Sequence, residues 1–203
     1  MLLGERIDAT RAALASSSGR AVEWRVAGSI FEVGLLARVI SPLLAIALLR
    51  NEIVHPQLAE LHWQPAGGGL RLSRPDGCAR TAVTDSGELA REFGRLVLAG
   101  PVAELVAAIG SACQLSDRIG WGNVASAING ATIVLRTVRP ALAGPANQLA
   151  AAILAVPPLQ LAGSEVGPAF RRDSCCLLYR VTGRQAVCAD CVLAPAWTDR
   201  PLR

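Results

Sequence analysis

The sequence predicts a mainly α (α+β) fold: a helical domain over residues 1–165 with a small β-hairpin near 60–74, and a cysteine-rich segment over 166–203 packed on it. Three observations predict this. Apolar residues recur at helical spacing along most of the chain. Two short alternating runs flank the cluster Pro65-Ala-Gly-Gly-Gly69. Four of the six cysteines fall between Cys175 and Cys191, in a stretch otherwise irregular. At 203 residues the chain is long enough for one well-buried core.

Taken in order, Ile7 to Ser17 suits a first helix, ended by the Ser-Ser-Ser-Gly run at 16–19. A second helical pattern runs from about Ser29 to Asn51, where Pro42 is expected to kink or split it. Leu61 and Trp63, then Leu70 and Leu72 alternating with Arg71 and Ser73, read as the hairpin, and Pro75-Asp-Gly77 reads as a second turn. Thr84-Asp-Ser-Gly-Glu88 supplies helix-start residues for a stretch carrying Leu89, Phe93, Leu96 and Val97. Gly100-Pro101 should stop that helix and Val102 to Cys113 form another. Trp121 to Val138 and Gln148 to Val156 continue the helical pattern, separated by Pro140 and Gly144-Pro145. From Gly167 the chain has too few apolar residues for a core of its own, so it needs the main domain or a metal to order it.

All 20 basic residues are Arg, and they interleave with 16 acids for a formal charge of +4. No run of five like charges occurs, and few aromatics are present to stack bases, which argues against a nucleic-acid partner. An acidic protein or an anionic small molecule remains compatible with this balance. The start of the chain has no apolar run followed by a small-residue cleavage site, so the expected location is the cytoplasm. Two stretches need testing as membrane spans. Val39 to Leu49 is closely bracketed by Glu32, Arg38 and Arg50, and Ala141 to Gly163 is interrupted by Pro145, Pro157 and Pro158, so both read as core helices. Peripheral contact with a membrane transporter stays open.

The chemistry points to the cysteines. Cys175, Cys176, Cys188 and Cys191 follow the pattern Cys-Cys-x11-Cys-x2-Cys. A disulfide framework is disfavoured in a reducing compartment, and Cys188-x-x-Cys191 lacks the βαβ setting of a thioredoxin-like motif. A single zinc ion normally takes two pairs of cysteines, each spaced by two to four residues. Cys188 and Cys191 meet that requirement, whereas the adjacent Cys175 and Cys176 do not. A two-iron cluster accommodates adjacent thiolates more readily, and spacing alone leaves both metals open.

The residues Arg171-Arg-Asp-Ser-Cys175-Cys-Leu-Leu-Tyr-Arg180, followed by Val187-Cys-Ala-Asp-Cys-Val-Leu193, resemble the carboxy-terminal signature of the FhuF-type siderophore-iron reductases. Ala37-Arg-Val-Ile-Ser-Pro-Leu-Leu-Ala45 and Trp121-Gly-Asn-Val-Ala-Ser-Ala127 are similar to other segments of that family. This chain carries one residue more between its cysteine pairs than the family pattern, in a Thr182-Gly183-Arg184-Gln185 segment that reads as a turn.

The resemblance implies a [2Fe-2S] cluster on Cys175, Cys176, Cys188 and Cys191. It implies one-electron reduction of iron(III) held by a siderophore, of the hydroxamate class, with release of iron(II). The chain has no flavin or nicotinamide motif, so a ferredoxin or a flavoprotein reductase is expected to supply electrons. No protein nucleophile or general base is required. Arg171, Arg172, Arg180 and Arg184 stand near the cysteines in sequence and would favour a more negative reduced cluster. Trp121, Asn123, Arg172 and Arg180 are the candidate substrate-binding residues. Competing readings are a siderophore- or transporter-binding module with a structural zinc, and an iron-sulfur sensor, for which no helix-turn-helix with a basic face is evident.

His55 and His62 read as surface or packing residues, Cys78 and Cys113 as ordinary thiols, and Trp197 as packing for the tail. Arg38 lies in an apolar helix and needs a partner if buried, with Glu32 as one candidate.

Overall fold

The computed structural model describes residues 3–55, 57–66, 69–73, 77–164, 167–183 and 187–194. It is mainly helical, with small antiparallel two-stranded sheets, as the sequence predicts.

Helix α1 spans Leu3–Ser18 and ends at Gly19, which takes a left-handed φ of 66°. Helix α2 spans Trp24–Arg50 and closes on Asn51, also left-handed, whose amide donates to the Ala47 carbonyl. Pro42 lies inside α2 and does not split it, contrary to one sequence expectation. Losing one helical donor is a local cost, and burial of Val39, Ile40, Leu43 and Leu44 on either side of Pro42 outweighs it.

Strands β1 (Glu52–Val54), β2 (His62–Ala66), β3 (Gly69–Ser73) and β4 (Arg80–Ala82) follow. The predicted hairpin is β2–β3, in register from His62 opposite Ser73 to Ala66 opposite Gly69. Of the second predicted turn, Pro75 and Asp76 lie outside the described residues. Strand β1 pairs with β4 at the base of the hairpin, a contact the sequence pattern did not reveal because each strand is only three residues long.

Helix α3 (Ser86–Phe93) is capped by Asp85, whose carboxylate accepts the Glu88 amide at 2.8 Å. A π-helical stretch, Gly94–Val102, carries the chain on to α4 (Ala103–Cys113). The expected stop at Gly100-Pro101 is found: Gly100 takes non-helical dihedrals (φ −99°, ψ −115°), and two helices meet there across a kink. Helix α5 (Asp117–Val138) and helix α6 (Ala143–Leu154) complete the domain. Gly144-Pro145 lies in the first turn of α6 rather than before it, because a proline there forfeits no intrahelical bond.

The apolar stripe of α2 includes Leu36, Val39, Ile40, Leu43, Leu44 and Ala47, at the three- and four-residue spacing of one helix face, and α2 packs along α5. A second cluster joins Ile7 of α1, Val26 and Phe31 of α2, and Ile109 and Cys113 of α4. By length and composition alone, two helical stretches among the described residues could cross a membrane, Trp24–Arg50 and Gly87–Cys113. The buried side chains of both contribute to the core.

Beyond α6, strands β5 (Gly163–Ser164) and β6 (Arg171–Arg172) pair, and the short helix α7 (Tyr179–Thr182) follows. The main domain holds this segment. Phe170 enters the first core cluster, while Leu177 and Val181 enter the second. Asn129 of α5 clamps Gly167 with two bonds: its Oδ1 accepts the Gly167 amide at 2.6 Å and its Nδ2 donates to the Gly167 carbonyl at 3.1 Å. Gly167 has a φ of +84°, which a β-carbon would strain.

Candidate metal centre

Strand β6 delivers the chain to Cys175 and Cys176, and a turn after residue 187 brings back Cys188 and Cys191. The two ends are tied by backbone bonds: the Arg172 amide donates to the Asp190 carbonyl at 3.0 Å, and the Cys191 amide to the Cys188 carbonyl at 3.1 Å. Cys176 and Cys191 are buried, Cys175 and Cys188 half-buried, and none of the six cysteines is in a disulfide.

The sulfurs meet in pairs. Sγ of Cys176 lies 3.6 Å from Sγ of Cys188. Two thiolates on one tetrahedral ion, at about 2.3 Å each, stand roughly 3.8 Å apart, so this pair has the spacing of ligands to a common metal. Cys175 has Cys176 and Cys191 as its sulfur neighbours. No three His, Cys, Asp or Glu side chains among the described residues converge to hold one ion. Four thiols are a donor set that both a zinc ion and an iron–sulfur group take. Amide donors already face the sulfurs, from Leu177 to Cys175 and from Leu193 to Cys191, each at 3.3 Å. Such donors stabilise thiolate charge.

The largest fully buried side chain among the described residues is Arg172, 2 % exposed. Its Nη2 donates to Cys188 Sγ at 2.9 Å, its Nη1 to Asn123 Oδ1 at 2.9 Å, and its Nε lies 3.2 Å from Asp190 Oδ2. Burial alone would lower the guanidinium pKa, but the charges of Cys176, Asp190 and Cys188 outweigh it and hold the group ionised. In turn, the Cys188 thiol donating to Cys176, with Arg172 beside them, pushes Cys176 down to about 5 against the opposing effect of burial. Cys188, holding the shared proton and buried, is pushed up. The site therefore starts with one ready thiolate.

Behind Arg172 runs a second, wholly buried layer. Asn123 donates through Nδ2 to Glu32 Oε2 at 2.7 Å and to Ser29 Oγ at 3.2 Å. Neither Glu32 nor Asn123 has any exposure, and Glu32 Oε1 has no hydrogen-bond partner. Desolvation by burial raises the Glu32 carboxyl to about 7, opposed in part by the Asn123 bond. A continuous chain thus runs from Ser29 and Glu32 through Asn123 and Arg172 to the thiols.

Two glycines of α5 make room for it. A β-carbon at Gly120 would come within 2.6 Å of Val106 Cγ1 and 3.4 Å of Glu32 Oε1. One at Gly122 would lie 2.0 Å from Ser174 Oγ. Ser174 is itself buried and its hydroxyl has no partner, so it acts as a spacer between α5 and Cys175. Gly122→Ala should therefore lose about 1–3 kcal/mol in urea unfolding. Adding Ser174→Gly should restore most of it, since the orphan hydroxyl leaves with the clash. Additive losses in the double variant would refute this close approach.

Of the expected substrate-binding residues, Trp121 is half-buried and lines an open cleft of about 500 Å³ with Asp117, Arg118, Leu161 and Asp173. Asn123 and Arg172 are too deeply buried to touch a docking molecule, and they reach the thiols instead. Arg180 is exposed and ion-paired with Glu23 of the α1–α2 connection, so it turns away from the sulfurs. Arg171 donates to the Cys191 carbonyl at 3.2 Å, and Arg184 and Trp197 lie outside the described residues. Arg38, for which Glu32 is one candidate partner in the event of burial, is not buried. Arg38 is exposed and donates to the Gly34 carbonyl, while Glu32 turns inward to Asn123. Cys78 and Cys113 are buried far along the chain from the four-cysteine set. His55 faces Thr81 at 3.3 Å and His62 is exposed on β2.

Sequence reasoning missed Asp190 and Glu32. Asp190 could have been found between the two cysteines it serves. Glu32, in an apolar helix, carried a signal in its isolation, but nothing in the chain pointed from it to Asn123. Compared with known proteins, the chain matches no family model, no curated protein and no solved structure.

Proposed function

We propose that the chain is a ferric-chelate reductase of the FhuF-like kind, holding a [2Fe-2S] cluster on Cys175, Cys176, Cys188 and Cys191. The observation that carries this reading is the close approach of Cys176 and Cys188 beside the buried Arg172 guanidinium, with Cys191 a neighbour of Cys175, in a segment whose sequence resembles that family's signature. When bound, the cluster would supply a one-electron couple between an external donor, such as a ferredoxin or flavoprotein reductase, and chelated iron(III).

The chain's own residues set the terms for that couple. Arg172, held charged, offsets the negative charge that four thiolates bring together, and so favours the more reduced state. The Leu177 and Leu193 amides act in the same sense at Cys175 and Cys191. Burial of Cys176 and Cys191 keeps water from one side, leaving the half-buried Cys175 and Cys188 as the edge through which electrons enter and leave. One electron converts chelated iron(III) to iron(II), which siderophores hold far less tightly, and the metal passes to cellular ligands. We place this activity in the cytoplasm, with peripheral association to an inner-membrane siderophore transporter as a further part of the proposal.

The test is anaerobic purification followed by metal and sulfide assay and a visible spectrum. Two irons and two sulfides per chain are expected, with colour bleached by dithionite and restored by a ferric trihydroxamate. Cys176→Ser and Cys191→Ser should each lower bound iron several-fold. A colourless protein with stoichiometric zinc, unchanged by attempted cluster reconstitution, would sink the proposal in favour of a binding module with no electron transfer.

A further inference from the structure

The cleft beside the cysteine segment has a composition that selects its occupant. It lies between the first turns of α5, which contribute Asp117, Arg118 and Trp121, and the connection after α6, which contributes Pro158, Leu161 and Ala162. Asp173 closes one side, and its carbonyl accepts from Arg118 Nη2 at 2.9 Å. Its amide donates to the Ala162 carbonyl at 3.1 Å, so the walls are tied together through this residue. Cys175 follows two positions later, and two residues span at most about 7 Å. Any molecule in the cleft is therefore close to the half-buried edge of the thiol set.

Two features bear on which molecule the cleft could take. Leu161 is 76 % exposed, the most exposed large apolar residue among those described, and it stands on the same cleft as the Trp121 indole. The volume of about 500 Å³ is that of a site for a small organic ligand. The charged lining is two carboxylates, Asp117 and Asp173, against one guanidinium, Arg118, whose Nη2 is already committed to a carbonyl. The local balance is negative although the whole chain carries +4.

We infer that this cleft is the docking site for the iron chelate, and that its lining selects complexes of zero or positive net charge with an apolar periphery over polyanionic ones. The inference rests on the reductase reading for the identity of the ligand, and adds where it binds and which residues discriminate. Leu161 and Trp121 cover the methylene surface of the chelate. Asp117 and Asp173 complement a cationic arm and repel anionic ligand shells.

Binding is tested without electron transfer by using gallium(III), which is redox-inert, in place of iron. Two probes are titrated calorimetrically into the full-length protein: a gallium trihydroxamate bearing one ammonium group, and a gallium tris-catecholate, a trianion. The wild type should bind the first at least tenfold more tightly. Leu161→Ser, at an exposed position where folding is undisturbed, should weaken it about fivefold. Asp117→Asn with Asp173→Asn should weaken the cationic probe and strengthen the trianion, each by about fivefold. Equal affinity for both probes, or affinities indifferent to all three substitutions, overturns the assignment. So does a Leu161→Ser protein that binds chelates normally but accepts electrons slowly from a ferredoxin, which gives the cleft to the donor. The expected binding pattern in a protein unable to reduce the ferric complex sinks the reductase reading and leaves the site standing. Normal reduction with the wrong binding pattern does the reverse.

Discussion

Arg172→Met lowers the unfolding free energy by about 3–5 kcal/mol and releases the segment around Cys188 to Cys191 to proteolysis. Met fills most of the volume but brings no charge and no donors. Asp190, the Asn123 carbonyl oxygen and the Cys176–Cys188 pair then lose their shared partner, Asn123 and Cys176 while buried and Asp190 and Cys188 while half-buried, and a charge left uncompensated away from water is what makes such losses large. Arg172→Lys recovers only part, because a single ammonium cannot reach in three directions as the planar fork does. Bound iron should fall in the same order, wild type above Lys above Met. Urea unfolding of the metal-free chain separates the two effects: a Met variant as stable as wild type when metal-free would show that Arg172 acts only through the metal group. Asp190→Asn combined with Arg172→Met should cost less than the sum of the singles, since the second change removes the charge that the first left stranded.

The fold was largely readable where one physical signal dominated. The stripe from Leu36 to Ala47 on α2 has helical period and is buried, and the hairpin follows from a glycine cluster between alternating runs. Where two signals competed, the pattern misled. Pro42 and Pro145 both read as breaks, yet the first is overruled by packing on either side of it and the second sits where a helix needs no donor. Gly100-Pro101, by contrast, divides two helices as its sequence predicts, since Gly100 before the proline takes non-helical dihedrals.

At the candidate site, the four cysteines were legible because sulfur ligands must be close in sequence to order an irregular segment. Their partners were not. The Arg172–Asn123 contact spans 49 residues and the Asn123–Glu32 contact spans 91, and no local period encodes either. The packing of α2 on α5 brings Glu32 to Asn123 and the packing of β6 on α5 brings Arg172, with Gly120 leaving room for Val106 and Glu32 and Gly122 for Ser174. Reading Arg172 and Asn123 as substrate ligands put the right residues in the wrong layer.

Glu32→Gln removes one component of the pH dependence of stability, the fall that Glu32 contributes to the wild type between pH 4.5 and about 7. The folded chain holds the Glu32 carboxyl near 7, against 4.5 for an ordinary glutamate, because burial disfavours its charge more than the Asn123 bond favours it. Between these values the native state binds more protons than the unfolded one, so stability falls as pH rises. Below 4.5 both states are protonated and the group has no slope. Above 7 both are ionised, and the native state carries the full penalty, about 3 kcal/mol at 1.36 kcal/mol per pKa unit. The other ionisable groups around Glu32 are Cys113 of α4, whose thiol burial and Glu32 both raise, and Arg172, reached through Asn123. Neither titrates in this window, but Cys176, held at about 5 beside Arg172, adds a rise of stability with pH above 5 in wild type and variant alike, so the Glu32 part is the difference between the two profiles. In the Gln variant the amide oxygen still accepts from Asn123, while its NH₂ takes the position of the orphan Oε1 and finds no acceptor, a cost of about 1–3 kcal/mol. The net change at pH 8 is therefore small, and the slope is the decisive quantity. Urea unfolding of the metal-free chain at pH 5, 6, 7 and 8 measures it. Parallel profiles for wild type and Glu32→Gln from pH 5 to 7 would leave Glu32 charged throughout, as a fixed counter-charge to Arg172; the expected result is a variant whose stability rises with pH relative to the wild type across that range.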